Sequence, residues 1–139
     1  MKKHDKLIIY TDGGARGNPG PGGAGVVIYN TNHKIIQEHS QFLGYTTNNK
    51  AEYQALILGL EEAKKIKASI VDCYLDSKLI VEQLNRRYKV KNKELGVLFL
   101  KVWNLSQSFK QVNFYHIPRG KNKKADYLVN KVIDQNLFS

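Results

Sequence analysis

The chain has 139 residues, with 22 Lys and Arg against 12 Asp and Glu, a formal charge of +10 and a pI near 9.7. That length suits one compact domain that buries roughly 70% of its unfolded surface, and the charge favours a polyanionic partner without choosing between nucleic acid and an anionic membrane surface. No apolar run approaches the roughly 20 residues of a membrane span, Lys2 and Lys3 are not followed by a signal-peptide core, and the single Cys73 excludes an intrachain disulfide and a thiolate zinc cluster, so a cytoplasmic monomer is the default expectation.

The apolar run from Lys6 to Gly13 reads as a first strand. It leads into TDGGARGNPGPGGAG (residues 11–25), whose Gly20-Pro21-Gly22-Gly23-Ala24-Gly25 has the spacing of a dinucleotide-binding turn. That fingerprint needs a helix opening from the loop. Here Val26-Val27-Ile28-Tyr29 is β-branched and aromatic and Asn30-Thr31-Asn32 is turn chemistry, so a second strand follows at about 24–29. No Gly-Lys-Ser/Thr completes a phosphate-cradling loop. The glycines are therefore expected to form a wide hairpin turn, and a nicotinamide oxidoreductase is disfavoured.

A third strand at about 34–44 completes an antiparallel meander. Asn48 or Asn49 is expected to cap a helix running to about 67, with Ala55, Leu56, Gly59, Leu60 and Ala63 as its buried stripe. A fourth strand spans 69–75 and contains Cys73, read as a buried small hydrophobe. Asp76-Ser77 then caps a helix to about 85. After the basic link Arg86-Arg87-Tyr88-Lys89-Val90-Lys91, another helix turns Leu95, Leu98, Phe99, Val102 and Leu105 inward. A fifth strand at 111–117 is broken by Pro118-Arg119-Gly120, and a last helix covers about 122–135. This order defines one α/β domain over residues 1–139, without repeats or linkers, whose later crossovers should be right-handed.

Four acids occupy positions that need a reason. Asp12 interrupts an apolar strand, where Asp is a poor strand former, although it could simply cap the glycine turn. Glu52 precedes Ala55 and Leu56 by three and four residues, so it heads the stripe that faces the core, which a helix-dipole role does not explain. Asp76 ends a strand, where ligands of open α/β sheets gather, but an N-cap role is a strong alternative. Asp126 adjoins Ala125 and lies one turn before Val129, and taken alone it reads as a surface dipole partner. Together they place carboxylates at strand ends and helix starts that can converge. Such a group would hold protons unless divalent cations offset its charge. Oxygen-only ligands imply Mg2+ or Mn2+ rather than zinc, and an acidic metal site in a basic chain suggests two-ion phosphodiester chemistry.

The runs TDGGARGNPGPGGAG, TTNNKAEYQAL, YLDSKLIV and IPRGKNKKADYLVN resemble, in that order and over almost the whole chain, the type 1 ribonuclease H family. The resemblance implies a ribonuclease H-like fold: a five-stranded mixed sheet of order 3-2-1-4-5 with helices on both faces. It implies hydrolysis of the RNA strand of RNA/DNA hybrids, leaving 5′-phosphate and 3′-hydroxyl ends, with two Mg2+ ions and Mn2+ as a substitute. Double-stranded RNA is a further candidate substrate. By position in these motifs the metal-binding and catalytic carboxylates fall on Asp12, Glu52, Asp76 and Asp126, with the Gly13 carbonyl facing a metal. Asn18, Asn48 and Asn49 fall on residues that sense the minor groove of the hybrid, and Thr47 on a contact to a DNA phosphate. An amide offers both donor and acceptor to a 2′-hydroxyl, whereas turn and cap roles are the bland alternatives.

Two departures stand out. The loop before the last acid is shortened to residues 117–122 and lacks the Gly-His pair found in many relatives, so His116 is read as a strand-edge residue. Arg119 is a phosphate contact that cannot act as a base. The basic helix that some relatives insert between positions 86 and 92 is also missing, leaving Arg86, Arg87, Lys89, Lys91 and Lys93 to replace part of its charge. Weak hybrid affinity or reliance on a partner is then expected, with no separate hybrid-binding domain before the fold. A catalytically weak binding module is the alternative, and the presence of all four acids argues against it.

Overall fold

Successive residues of the first apolar run take opposite faces of a sheet: Leu7 and Ile9 are fully buried on one side, while Ile8 and Tyr10 are half-buried on the other. The computed structural model describes residues 5–137. Its strands are β1 (Lys6–Ala15), β2 (Gly20–Tyr29), β3 (Ile35–Thr46), β4 (Ile70–Leu75) and β5 (Gln111–His116). Its helices are α1 (Asn48–Ile66), α2 (Lys78–Leu84), α3 (Lys93–Ser106) and α4 (Lys123–Leu137). The sheet order is β3-β2-β1-β4-β5, with β1, β2 and β3 antiparallel and β4 and β5 added in parallel, as the resemblance implies.

One core lies under α1, α2 and α3. Leu56, Leu60 and Ala63 of α1 meet Leu7, Ile9, Val26, Ile28, Val71 and Cys73 of the sheet, closed by Ile80 and Val102. The expected α1 stripe is buried throughout, and each fully buried Leu contributes about 1.5–3 kcal/mol. On the other face α4 covers β1, β2 and β3 through Ala125, Leu128, Val129, Val132 and Ile133. Beside it a row of tyrosines crosses the strands, Tyr29, Tyr10, Tyr74 and Tyr115, with successive ring centroids 5.3, 5.1 and 5.2 Å apart, and Tyr29 and Tyr10 pack against Ala125 and Leu128 of α4.

Several sequence-based expectations are corrected. The glycine-rich run is not a wide turn. β1 extends to Ala15 and β2 begins at Gly20, leaving a short connection closed by the Arg16 N–H donating to the Pro21 carbonyl at 2.9 Å. Gly23 and Gly25 lie within β2 because α4 packs directly on it: a Cβ there would come within 3.0 Å of the Val129 carbonyl oxygen or 2.4 Å of that of Ala125. Thr47, not Asn48 or Asn49, caps α1 by accepting from the Lys50 N–H at 3.2 Å. Of the Asp76-Ser77 pair expected to cap α2, Ser77 is the cap, accepting from the Ile80 N–H at 3.3 Å. Finally, α4 starts at Lys123, after a single 3-10 turn over Arg119–Lys121. At these helix starts adjacent residues have similar local capping preferences, and tertiary packing selects between them. Lys2 and Lys3 lie outside the described residues.

Candidate active site

The end of β1 and the start of α1 come into backbone contact at Gly13. A Cβ at that position would lie 2.1 Å from the Ala51 carbonyl oxygen, so only glycine lets the helix sit this close. The approach brings Glu52 onto the strand, where the Gly13 N–H donates to its Oε1 at 3.0 Å. Its inward direction follows from the stripe it heads: Glu52 is only 6% exposed, and Asp12, one residue before Gly13, only 8%. Asp76 follows β4, the parallel neighbour of β1. Because Ser77 does the capping, the Asp76 carboxylate is left for other partners.

Asp12, Glu52 and Asp76 each contribute a carboxylate oxygen, and these atoms all lie within 4.8 Å of one another. Burial and then the Glu52 charge raise the Asp12 carboxyl well above the usual range. Glu52 is also raised, chiefly by burial, although a side-chain hydrogen bond with Asp12, then the Gly13 N–H and the Arg119 charge, oppose the shift. Glu52 Oε2 is buried with no hydrogen-bond partner among the described residues. An orphaned buried oxygen within a cluster of oxygen donors is the environment a hard divalent cation satisfies, and the donor set suits Mg2+ or Mn2+.

These residues line a cavity of about 430 Å³ together with Gly13, Asn48, Asn49, Arg119 and Asp126. Asp126 is exposed in the first turn of α4 and stands at the cavity wall, outside the three-carboxylate cluster, though its charge adds to the upward shift of Asp12. The asparagines form a relay. The Asn48 N–H donates to Asn18 Oδ1 at 3.0 Å, and Asn48 Oδ1 accepts from the Ala15 N–H at 2.8 Å, fastening the β1–β2 turn to α1. His116 is exposed at the end of β5 beside Glu82 and is not among the cavity residues, in line with its reading as a strand-edge histidine. Of the basic run, Arg86 is stacked over Trp103 at 4.2 Å and Arg87 is paired with Glu82 at 2.7 Å, which leaves Lys89, Lys91 and Lys93 exposed.

The sequence reading missed three residues at the site. Arg16 and Asn130 line the cavity, and the Arg16 guanidinium joins Asp134 and Asn130, tying the hairpin to α4. Asn122 is 1% exposed, and its Nδ2 donates to Asp76 Oδ2 and to the Thr11 carbonyl, both at 2.8 Å. Its position four residues before Asp126 was the available signal, but helix-start chemistry explains an Asn there equally well.

A five-stranded sheet of this order, with carboxylates gathered at the ends of its two central strands, defines a ribonuclease H-like protein. A family model described as reverse transcriptase-like matches residues 10–132. The bifunctional protein Rv2228c of Mycobacterium tuberculosis is 42% identical over 130 residues, which cover 93% of this chain but 36% of that protein. The chain thus spans about a third of that relative's length. The ribonuclease H1 structure from Halobacterium salinarum is 33% identical, with a TM-score of 0.91 over 94% of this chain and 98% of that one. LC11 ribonuclease H1, solved in complex with an RNA/DNA hybrid, is 46% identical, with a TM-score of 0.91 over 94% of this chain and 99% of that one. The chain belongs to the type 1 ribonuclease H family.

Proposed function

We propose that this chain is an endonuclease that hydrolyses the RNA strand of RNA/DNA hybrids, leaving 5′-phosphate and 3′-hydroxyl ends. The observation that carries the reading is the meeting of Asp12, Glu52 and Asp76 oxygens within 4.8 Å in a chain of charge +10. Asp12, Glu52 and Asp76, with Asp126 at the wall, would hold two Mg2+ ions, or Mn2+ in their place. Bound there, such ions would supply the charge stabilisation of an in-line displacement at phosphorus. The Gly13 N–H fixes the Glu52 rotamer, leaving Oε2 for a cation, and the carbonyl of Gly13 is a further oxygen donor.

Substrate recognition falls to the residues around the cavity. Asn18 and Asn48 spend their Oδ1 atoms on the hairpin lock, so their Nδ2 groups, with the Asn49 amide, are offered to minor-groove 2′-hydroxyls. The Thr47 oxygen caps α1, and its hydroxyl hydrogen can donate to a DNA phosphate. Arg119 contacts the RNA backbone, and exposed Lys89, Lys91 and Lys93 add charge that holds the polyanion. The 139 residues would act as one domain and as a monomer.

The test is incubation of end-labelled hybrid, duplex RNA and duplex DNA with Mg2+ or Mn2+, followed by mapping of the termini. Metal-dependent cuts in the RNA strand of the hybrid, abolished by Asp12→Asn, are expected. Hybrid binding without cleavage in either metal would leave a binding module instead. Cleavage of duplex RNA would widen the substrate range without changing the chemistry.

A further inference from the structure

Asn122 connects the elements that carry the acids. Its Nδ2 donates to the Thr11 carbonyl, one peptide before Asp12, and to Asp76 Oδ2 beyond β4. Its backbone carbonyl accepts from the Asp126 N–H at 3.1 Å, and its own N–H donates to the Arg119 carbonyl at 3.0 Å. One buried residue therefore touches the Thr11–Asp12 peptide unit, a carboxylate of the cluster, the α4 acid and the loop that carries Arg119.

The orientation of the amide is set by its partners. Both neighbours of Nδ2 are acceptors, so reversing the amide would put oxygen against oxygen. The arrangement leaves Asn122 Oδ1 buried without a partner among the described residues, an unfavourable state that an apolar side chain would avoid. What an apolar side chain could not do is hold Asp76.

We propose that Asn122 is a positioning residue for the cation site. By binding Asp76 Oδ2 and the Thr11 carbonyl through one nitrogen, it fixes the Asp76 carboxylate relative to Asp12 and leaves Asp76 Oδ1 as the oxygen offered to a cation. Groups that orient metal ligands typically change metal affinity by 10–100-fold when removed. This inference rests on the proposed metal-dependent hydrolysis.

The experiment uses the metal-free full chain, unaltered and as Asn122→Ala and Asn122→Ser, with thermal melting to establish that each variant folds. Mn2+ binding is followed by calorimetry, and hybrid hydrolysis is measured over a range of Mg2+. Asn122→Ala should bind Mn2+ at least about tenfold more weakly. Its KM for hybrid should stay within about twofold, and its lowered kcat should recover as Mg2+ is raised. Asn122→Ser, whose hydroxyl can serve only one acceptor, should fall between the two. A folded variant with Mn2+ affinity within about twofold of the unaltered chain would overturn the inference while leaving the proposed function standing, as would a kcat deficit insensitive to Mg2+. Failure of the unaltered chain to bind Mn2+ would remove the proposed function itself. If neither variant folds, Asn122 is a structural residue and the inference falls.

Discussion

The Gly13 N–H donates to Glu52 Oε1 across 39 residues of chain, where the backbones of α1 and β1 approach most tightly for want of a Cβ at Gly13. Hydrogen bond and glycine form a single device: the missing Cβ lets the helix in, and the buried N–H orients the acid that the helix brings. Gly13→Ala would place a methyl group 2.1 Å from the Ala51 carbonyl oxygen, and the obstacle is backbone that cannot rotate away. The helix start must move, taking Glu52 with it. Overpacking of this kind typically costs about 1–3 kcal/mol, and a displacement near 1 Å at reacting groups can cost about 100-fold in rate. A denaturant midpoint and a hybrid-cleavage rate both equal to those of the unaltered chain would refute this account of the site.

The buried acids should also set how the metal-free chain responds to pH. Asp12 and Glu52 are both raised, burial being the first cause for each, so the folded state holds their protons more tightly than the unfolded chain. Their contribution to stability is fully present below the unfolded carboxylate range near pH ~4 and is lost as pH rises through the higher folded values. With its carboxyl raised to about 10, Asp12 is held protonated in the folded metal-free chain at pH 8, so Asp12→Asn keeps a neutral side chain there and removes the cost of taking up that proton. At pH 8 without metal this variant should melt above the unaltered chain, by roughly 3–4 °C if the relief is about 1 kcal/mol, while losing cleavage. The gap should narrow at pH 5, and Mg2+ should raise the melting temperature of the unaltered chain more than that of the variant. Comparing the two chains removes the shared effects of histidine protonation and net charge.

Glu52 was legible in sequence because the stripe of Ala55, Leu56, Gly59 and Leu60 fixes which way the helix faces before any tertiary contact is known. Asp12 was legible because a carboxylate within an apolar strand conflicts with its neighbours. Asp126 was legible only through the resemblance of its motif, since an exposed acid in a first helical turn looks the same whether it serves a site or a helix dipole. The strand glycines misled for a related reason. Local conformational freedom and close approach of another element call for the same residue, and only the packing of α4 on β2 separates them. Asn122 was hidden more deeply: its Thr11 partner is 111 residues away, and nothing about a single Asn announces a fixed acceptor that distant.

Arg119 projects from the 3-10 turn into the cavity, and its positive charge already bears on Glu52. If it neutralises an RNA phosphate, Arg119→Gln should weaken hybrid binding at low salt and lower the slope of log affinity against log salt by about 1. Replacing Lys89, Lys91 and Lys93 with Gln should lower it further, by up to roughly 1 for each phosphate left without its cation, and should not change which strand is cut. Arg87→Gln should leave the slope unchanged, because that guanidinium is held by Glu82 at 2.7 and 2.8 Å. Equal slopes for the Arg119 and Arg87 variants would show that the cavity arginine does not meet phosphate.

The hairpin lock allows recognition to be separated from stability at Asn18. Its Oδ1 accepts from the Asn48 N–H at 3.0 Å, a task a carboxylate oxygen performs equally well, whereas its Nδ2 is the group proposed to reach a 2′-hydroxyl. Asn18→Asp should therefore keep the turn fastened, with stability within about 0.5 kcal/mol of the unaltered chain. It loses a donor and sets a negative charge against the phosphates, so affinity for hybrid should fall at least tenfold, equivalent to about 1.4 kcal/mol. Asn18→Ala removes both atoms, and should add to the affinity loss a stability cost of about 1 kcal/mol from the unpaired Asn48 N–H. Thermal melts alongside hybrid-binding titrations of the two variants distinguish these outcomes. If Asn18→Asp bound hybrid as tightly as the unaltered chain, the Asn18 amide would serve only to hold the turn.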